Sequence, residues 1–85
     1  MEIKFTDDAN RDLEYWKKTH NVKVLKRIRE LLEAIQQDPY KGIGNPEVLK
    51  HQLSGYWSRH INLEHRLVYK ISGNVITVIS CRFHY

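Results

Sequence analysis

The stretch HRLVYKISGNVITVISCRFHY, residues 65–85, decides the fold. Two runs rich in β-branched and aromatic residues flank Ser72-Gly73-Asn74, the pattern of a β-hairpin. The second run, VITVI at 75–79, is apolar on both faces, which places its strand in the middle of a sheet. A three-residue turn at 72–74 sets Ile71 opposite Val75, Tyr69 opposite Thr77, Leu67 opposite Ile79 and Arg66 opposite Ser80. Side chains alternate with period two. The even-numbered face therefore carries Arg66, Arg82 and His84, with Val68 and Val78 beside them. The odd face carries Leu67, Tyr69, Ile71, Val75 and Ile79 and is the side expected under helices. A two-residue turn would shift the register and part Arg66 from His84.

Upstream, YWSRHI at 56–61 reads as the preceding strand. A three-residue turn at Asn62-Leu63-Glu64 pairs His60 with Arg66, so the open face gathers His60, Arg66, Arg82 and His84. Cations so close repel one another unless an anion lies among them, and a phosphate fits that description. Before this strand runs YKGIGNPEVLKHQLSG, residues 40–55, irregular at its glycines and Pro46. Its second half, 46–53, forms one helical turn or runs extended. Ordered connections of this length often carry function.

The N-terminal half is helical. EIKFT at 2–6 alternates as a short strand, and Thr6 or Asp7 caps a helix with Ala9, Leu13 and Trp16 on one stripe. THN at 19–21 interrupts it. A second helix spans Val22–Gln37, with Leu25, Ile28, Leu31, Leu32 and Ile35 on one face, and Asp38-Pro39 ends it. Lys23, Lys26, Arg27 and Arg29 oppose the helix dipole in its first half. Either Lys26–Glu30 and Arg29–Glu33 pairs make this a solvated face, or something other than helix stability requires the charge there. The pattern predicts one α+β domain over residues 1–85, with two N-terminal helices packed on a twisted antiparallel sheet.

A chain of 85 residues buries only about 60% of its unfolded surface, so its core is thin. No apolar run approaches the roughly 20 residues of a membrane span, and MEIKF lacks the basic and apolar regions of a signal peptide. The lone Cys81 cannot form an internal disulfide. These features predict a cytoplasmic protein without membrane attachment. A net charge of +4 and a pI near 9.3 suit an anionic partner, nucleic acid or acidic protein.

Cleaving RNA without a metal requires a base for the 2′-OH proton, an acid for the leaving 5′-oxygen and a cation for charge developing on phosphorus. Glu47 in the long connection, His84 at the end and Arg66 on the sheet supply these groups. Tyr56, Trp57 and Tyr85 offer rings on which unpaired bases stack. There is no CxxC or HExxH, so neither a metal nor a cofactor is expected. Each residue also has a plain structural reading. Glu47 is then a solvated loop carboxylate, Arg66 pairs with Glu64 across the turn, Trp57 packs in the core, and His84-Tyr85 is a surface end.

Within PEVLKHQLSGYWSRHINLEHRLVY, residues 46–69, the run is Pro-Glu, Leu-Lys, Leu-Ser-Gly-aromatic-Trp-Ser-Arg and Glu-His-Arg-Leu-Val-Tyr, and CRFHY closes the chain. This combination closely resembles the YoeB/Txe toxins of the RelE superfamily, and the resemblance spans the whole chain. It implies the toxin of a type II toxin–antitoxin system, a ribosome-dependent endoribonuclease that cleaves mRNA in the A site. It also implies a RelE-like fold similar to microbial ribonucleases, and a metal-independent transesterification leaving a 2′,3′-cyclic phosphate and a 5′-OH. By motif, Glu47 matches the general base, His84 the general acid, Arg66 the phosphate-stabilising arginine and Tyr85 the terminal tyrosine that orients substrate. Lys50, Arg59 and His60 match positions for substrate and phosphate binding. His60 stands where relatives commonly carry a second arginine, and Phe83 where a tyrosine is common.

The partners implied are a cognate antitoxin, the ribosome and mRNA, with operator DNA reached only through the antitoxin complex. The resemblance leaves room for a homodimer. The competing reading is a non-catalytic protein that blocks the A site by binding alone. It shares the basic face but has no use for Glu47 and His84 as a pair.

Overall fold

The computed structural model describes residues 1–83; His84 and Tyr85 lie outside the described residues. The elements run β1 (Glu2–Phe5), α1 (Asp7–Lys18), α2 (Val22–Gln37), β2 (Glu47–Val48), β3 (Trp57–His60), β4 (Arg66–Ser72) and β5 (Val75–Ser80). A single 3-10 turn, His51–Leu53, lies between β2 and β3. The segment 46–53 thus holds both forms expected of it, first extended and then turned.

Local chemistry sets the helix ends. Thr6 caps α1, its Oγ1 accepting the Ala9 amide at 3.2 Å, and Asp7 and Asp8 complement the dipole in the first turn. Asn21 caps α2 through an Oδ1 contact to the Val24 amide at 3.1 Å. The expected Lys26–Glu30 and Arg29–Glu33 pairs do not form. Among the described residues, the ion pairs on the helices are Arg11–Asp8 and Lys17–Glu14, both on α1.

The sheet has five strands in the order β1-β5-β4-β3-β2. β1 pairs parallel to β5, and the other contacts are antiparallel. The sheet is therefore mixed rather than wholly antiparallel. The two helices pack on one face of it, and β5 lies inside it as its apolar composition requires. Ala9 and Trp16 of α1 and Val24, Ile28, Leu31 and Ile35 of α2 meet Leu67, Tyr69, Ile76 and Val78 of the sheet. Burying each such aliphatic side chain contributes about 1.5–3 kcal/mol.

The hairpin register differs from the sequence expectation. The turn has two residues, not three: Ser72 pairs with Val75 and Ile71 with Ile76. Gly73, at φ 57°, supplies the positive φ that a tight two-residue turn demands at its first position. One residue of slip turns β5 over, so Ile76 and Val78 enter the core while Val75 and Ile79 stay half-buried. A β-bulge then reverses the slip. Tyr69 pairs with Val78 but Val68 pairs with Ser80, leaving Ile79 as the extra residue. Beyond the bulge, even-numbered residues of β4 and β5 again share a face, with partners displaced by two from the expected ones.

Candidate functional site

The site forms on the sheet face away from the helices. Cross-strand pairing lines up Glu47, Ser58, Val68 and Ser80 in one row over β2, β3, β4 and β5. His60 pairs with Arg66 in the neighbouring row, as the three-residue turn at 62–64 requires. Glu47 and Arg66 thus sit two strands apart, roughly 10 Å between backbones, with the short Ser58 side chain between them. Over it, Glu47 Oε2 comes within 4.0 Å of Arg66 Nη1. The other carboxylate oxygen, Oε1, accepts from Asn45 Nδ2 at 3.2 Å. Arg66 pairs with Glu47 and not with Glu64, whose carboxylate lies instead 3.6 Å from His65 Nε2. The Glu47 side chain is half exposed and that of Arg66 about a quarter exposed, so both remain open to a ligand.

A carboxylate and a guanidinium so placed can do two things. The carboxylate can take a proton, and the guanidinium can hold an anion by paired N–H donors. His60, paired with Arg66, adds an imidazole ring on the same face. Lys50 is exposed where the chain enters the 3-10 turn, and Lys70 lies 5.5 Å from the Tyr56 ring.

Two expected members are elsewhere. Arg59 is fully buried on the helix side. Its Nε donates to Tyr69 Oη at 3.1 Å, Nη1 to Ile43 O at 3.1 Å, and Nη2 to Asp38 O at 2.7 Å and Lys41 O at 2.9 Å. A guanidinium so engaged is unavailable to phosphate; it ties the 38–43 loop to β3. Strand alternation signalled this in the sequence: if His60 faces outward, Arg59, paired with Leu67, faces inward. Arg82 also leaves the open face. Its guanidinium lies 3.4 Å from the centre of the Tyr15 ring on α1. Trp57 packs against the core and lies 5.1 Å from the Tyr40 ring.

Burial pushes the Tyr69 phenol up, opposed by its bond from Arg59. It donates in turn to Pro39 O at 2.6 Å. Arg59 and Tyr69 thus hold the start of the loop that delivers Glu47. Gly44, at φ 85°, completes that loop: a Cβ there would stand 2.7 Å from Leu31 Cδ2. Its carbonyl accepts the His60 amide at 2.7 Å. A cleft of about 380 Å³ opens between α2 and the β3–β4 turn, lined by Lys23, Lys26 and Arg27 with Glu30 among them. Arg27 also reaches His60 O at 3.5 Å.

The model of the YoeB-like toxin of bacterial type II toxin–antitoxin systems matches residues 5–85. The chain belongs to this family. It is 54% identical over 85 residues to the toxin YoeB of Synechocystis sp., covering all of this chain and 98% of that relative. Its fold superposes on a YoeB/ParE toxin from Agrobacterium tumefaciens with a TM-score of 0.95, at 40% identity and complete coverage of both chains. A chain of the heterotetrameric YoeB–YefM toxin–antitoxin complex from Staphylococcus aureus matches at a TM-score of 0.90 and 44% identity, covering all of this chain and 98% of that one. As a YoeB-family toxin, the chain carries the Glu47–Arg66 pair on its open face and Arg59 in its frame.

Proposed function

We propose that this toxin is a ribosome-dependent endoribonuclease that cleaves mRNA in the A site by transesterification, without a metal ion. The observation that carries the reading is the approach of Glu47 to Arg66, 4.0 Å apart on an open sheet face in a member of this toxin family. Glu47 takes the proton of the 2′-OH, and the freed oxygen attacks the adjacent phosphorus. Arg66 holds the non-bridging oxygens as charge grows on them, exchanging part of its pairing with Glu47 for the phosphate. His84 protonates the departing 5′-oxygen, and the products are a 2′,3′-cyclic phosphate and a 5′-OH. Tyr85 orients the substrate, Lys50 adds positive charge around the phosphate, and His60 offers ring nitrogens for hydrogen bonds to it. The basic cleft beside α2 supports docking on an anionic surface such as ribosomal RNA.

An antitoxin partner is supported by the YoeB–YefM complex among the structural relatives. The charge of +4 favours an acidic antitoxin segment across the open face.

The test is toeprinting with RNA-end analysis on translating ribosomes, wild type beside His84→Gln. The expected result is cleavage within the A-site codon, with cyclic-phosphate ends, lost in the variant. Ribosomes stalled on intact mRNA by both proteins would instead establish a blocker and remove the roles given to Glu47 and His84.

A further inference from the structure

Beyond the sheet, Cys81–Phe83 is held at both ends by hydrogen bonds. Asp12 Oδ2 accepts the Cys81 amide at 3.0 Å, and Trp16 Nε1 donates to the Cys81 carbonyl at 2.9 Å. His65 Nδ1 accepts the Phe83 amide at 2.7 Å, and the Arg66 amide donates to the Phe83 carbonyl at 2.9 Å. Phe83 sits at φ 61°, a left-handed conformation that a non-glycine residue adopts only when its surroundings fix it. The backbone is thus turned and pinned one residue before His84.

His65 is the unusual member of this set. Its ring is buried, edge-on to Trp16 at 4.8 Å and tilted against Phe83 at 5.7 Å. Its own amide is taken by Asn62 Oδ1 at 2.7 Å. To accept from an amide, Nδ1 must keep its lone pair, so the ring must be neutral with its proton on Nε2. The Glu64 carboxylate, 3.6 Å from Nε2, favours that tautomer. A protonated ring would point an N–H at the Phe83 N–H, and two donors would face each other.

We propose that His65 is a positioning residue: its neutral Nδ1 holds the Phe83 amide and so sets where the chain presents His84, and its protonation releases that hold. The proposal rests on the reading of His84 as the general acid. Among the described residues, two charged side chains face the ring. Glu64, from the preceding turn, favours the imidazolium; Arg82, lining the same cleft of about 300 Å³, opposes it. From α1 and the loop after it come Trp16, the Tyr15 phenol and Asn21, and Asp12 stands at the Cys81 amide.

Three variants test this beside wild type. His65→Phe keeps a ring but no acceptor, His65→Asn keeps an acceptor that does not titrate, and His84→Gln tests the underlying reading. Cleavage of A-site mRNA is measured as kcat and KM from about pH 5.5 to 8, the range in which histidine changes charge. The Phe83 amide resonance of the wild-type toxin is followed by NMR over the same range. His65→Phe should lose about 10- to 100-fold in kcat with KM little changed, as small misplacements of reacting groups do. His65→Asn should recover most of that loss and flatten the acid side of the profile. The Phe83 amide should move with the titration of the His65 ring. A folded His65→Phe protein that cleaves at the wild-type rate, while His84→Gln is inactive, would overturn the positioning role alone. A Phe83 amide indifferent to His65 protonation would overturn it even where His65→Phe fails to fold. Wild-type cleavage by His84→Gln would bring down the acid assignment, and the positioning role with it.

Discussion

Two arginines seven positions apart in one motif meet opposite fates. Arg66 stays on the open face beside Glu47, while Arg59 is buried and spends its donors on three carbonyls and a phenol. Motif matching treats both as phosphate ligands; strand parity separates them. Replacing Arg59 by Lys leaves a compact ammonium that cannot reach the same fork of acceptors. Buried oxygens lose their partners, at a cost of about 1–3 kcal/mol each. Arg59→Lys should therefore lose on the order of 3 kcal/mol in urea unfolding. Arg66→Lys, at a partly exposed position, should keep near-wild-type stability and lose cleavage. His65 was not legible as a site residue, because its partner is a main-chain amide eighteen residues away.

At the scale of elements, apolar periodicity located both helices, and alternation with β-branched and aromatic runs located β1, β3, β4 and β5. Neither gave the hairpin register. Ser72-Gly73-Asn74 suits a turn of two residues or three, and choosing between them sets which face of β5 is buried. The bulge at Ile79 then undoes the difference before the site is reached. A bulge leaves no composition signal, so Ser80 and its pairing with Val68 required the structure. β2 is two residues long, too short for any periodicity. The loop that leads to it depends on Gly44, where an added methyl meets Leu31 and the backbone is left-handed. Gly44→Ala should cost roughly 1–3 kcal/mol of stability and displace Glu47, which thermal unfolding and the cleavage rate would report together.

For the whole molecule, alkaline pH is the revealing stress. Burial pushes the Cys81 thiol up to about 12 from 9.0, with Asp12 adding to the effect. The unfolded chain therefore gives up this proton first as pH rises. Stability from this group is complete below pH 9.0 and falls by about 1.4 kcal/mol per pH unit toward the folded value. Tyr69, also raised, adds a loss of the same sign above 10.0. Unfolding measured between these two onsets should show the slope in wild type and not in Cys81→Ala; equal slopes would locate the titrating group elsewhere. The formal charge of +4, legible from composition, says that the molecule suits an anionic partner. The family, not the charge, narrows which one.

The strand order carries a consequence for synthesis. β5 is the strand on which both β1 and β4 pair, yet it follows every other element along the chain. Until translation has passed Ser80, β1 has no neighbour in the sheet, and α1 lacks the strand against which it packs. A nascent or prematurely terminated chain has helices and part of a meander, but no surface on which they close. Glu47 and Arg66 have both been made by then, but the scaffold that holds them is incomplete. The architecture thus ties assembly of the Glu47–Arg66 face to completion of the strand made last, and unfinished copies lack that scaffold by topology alone.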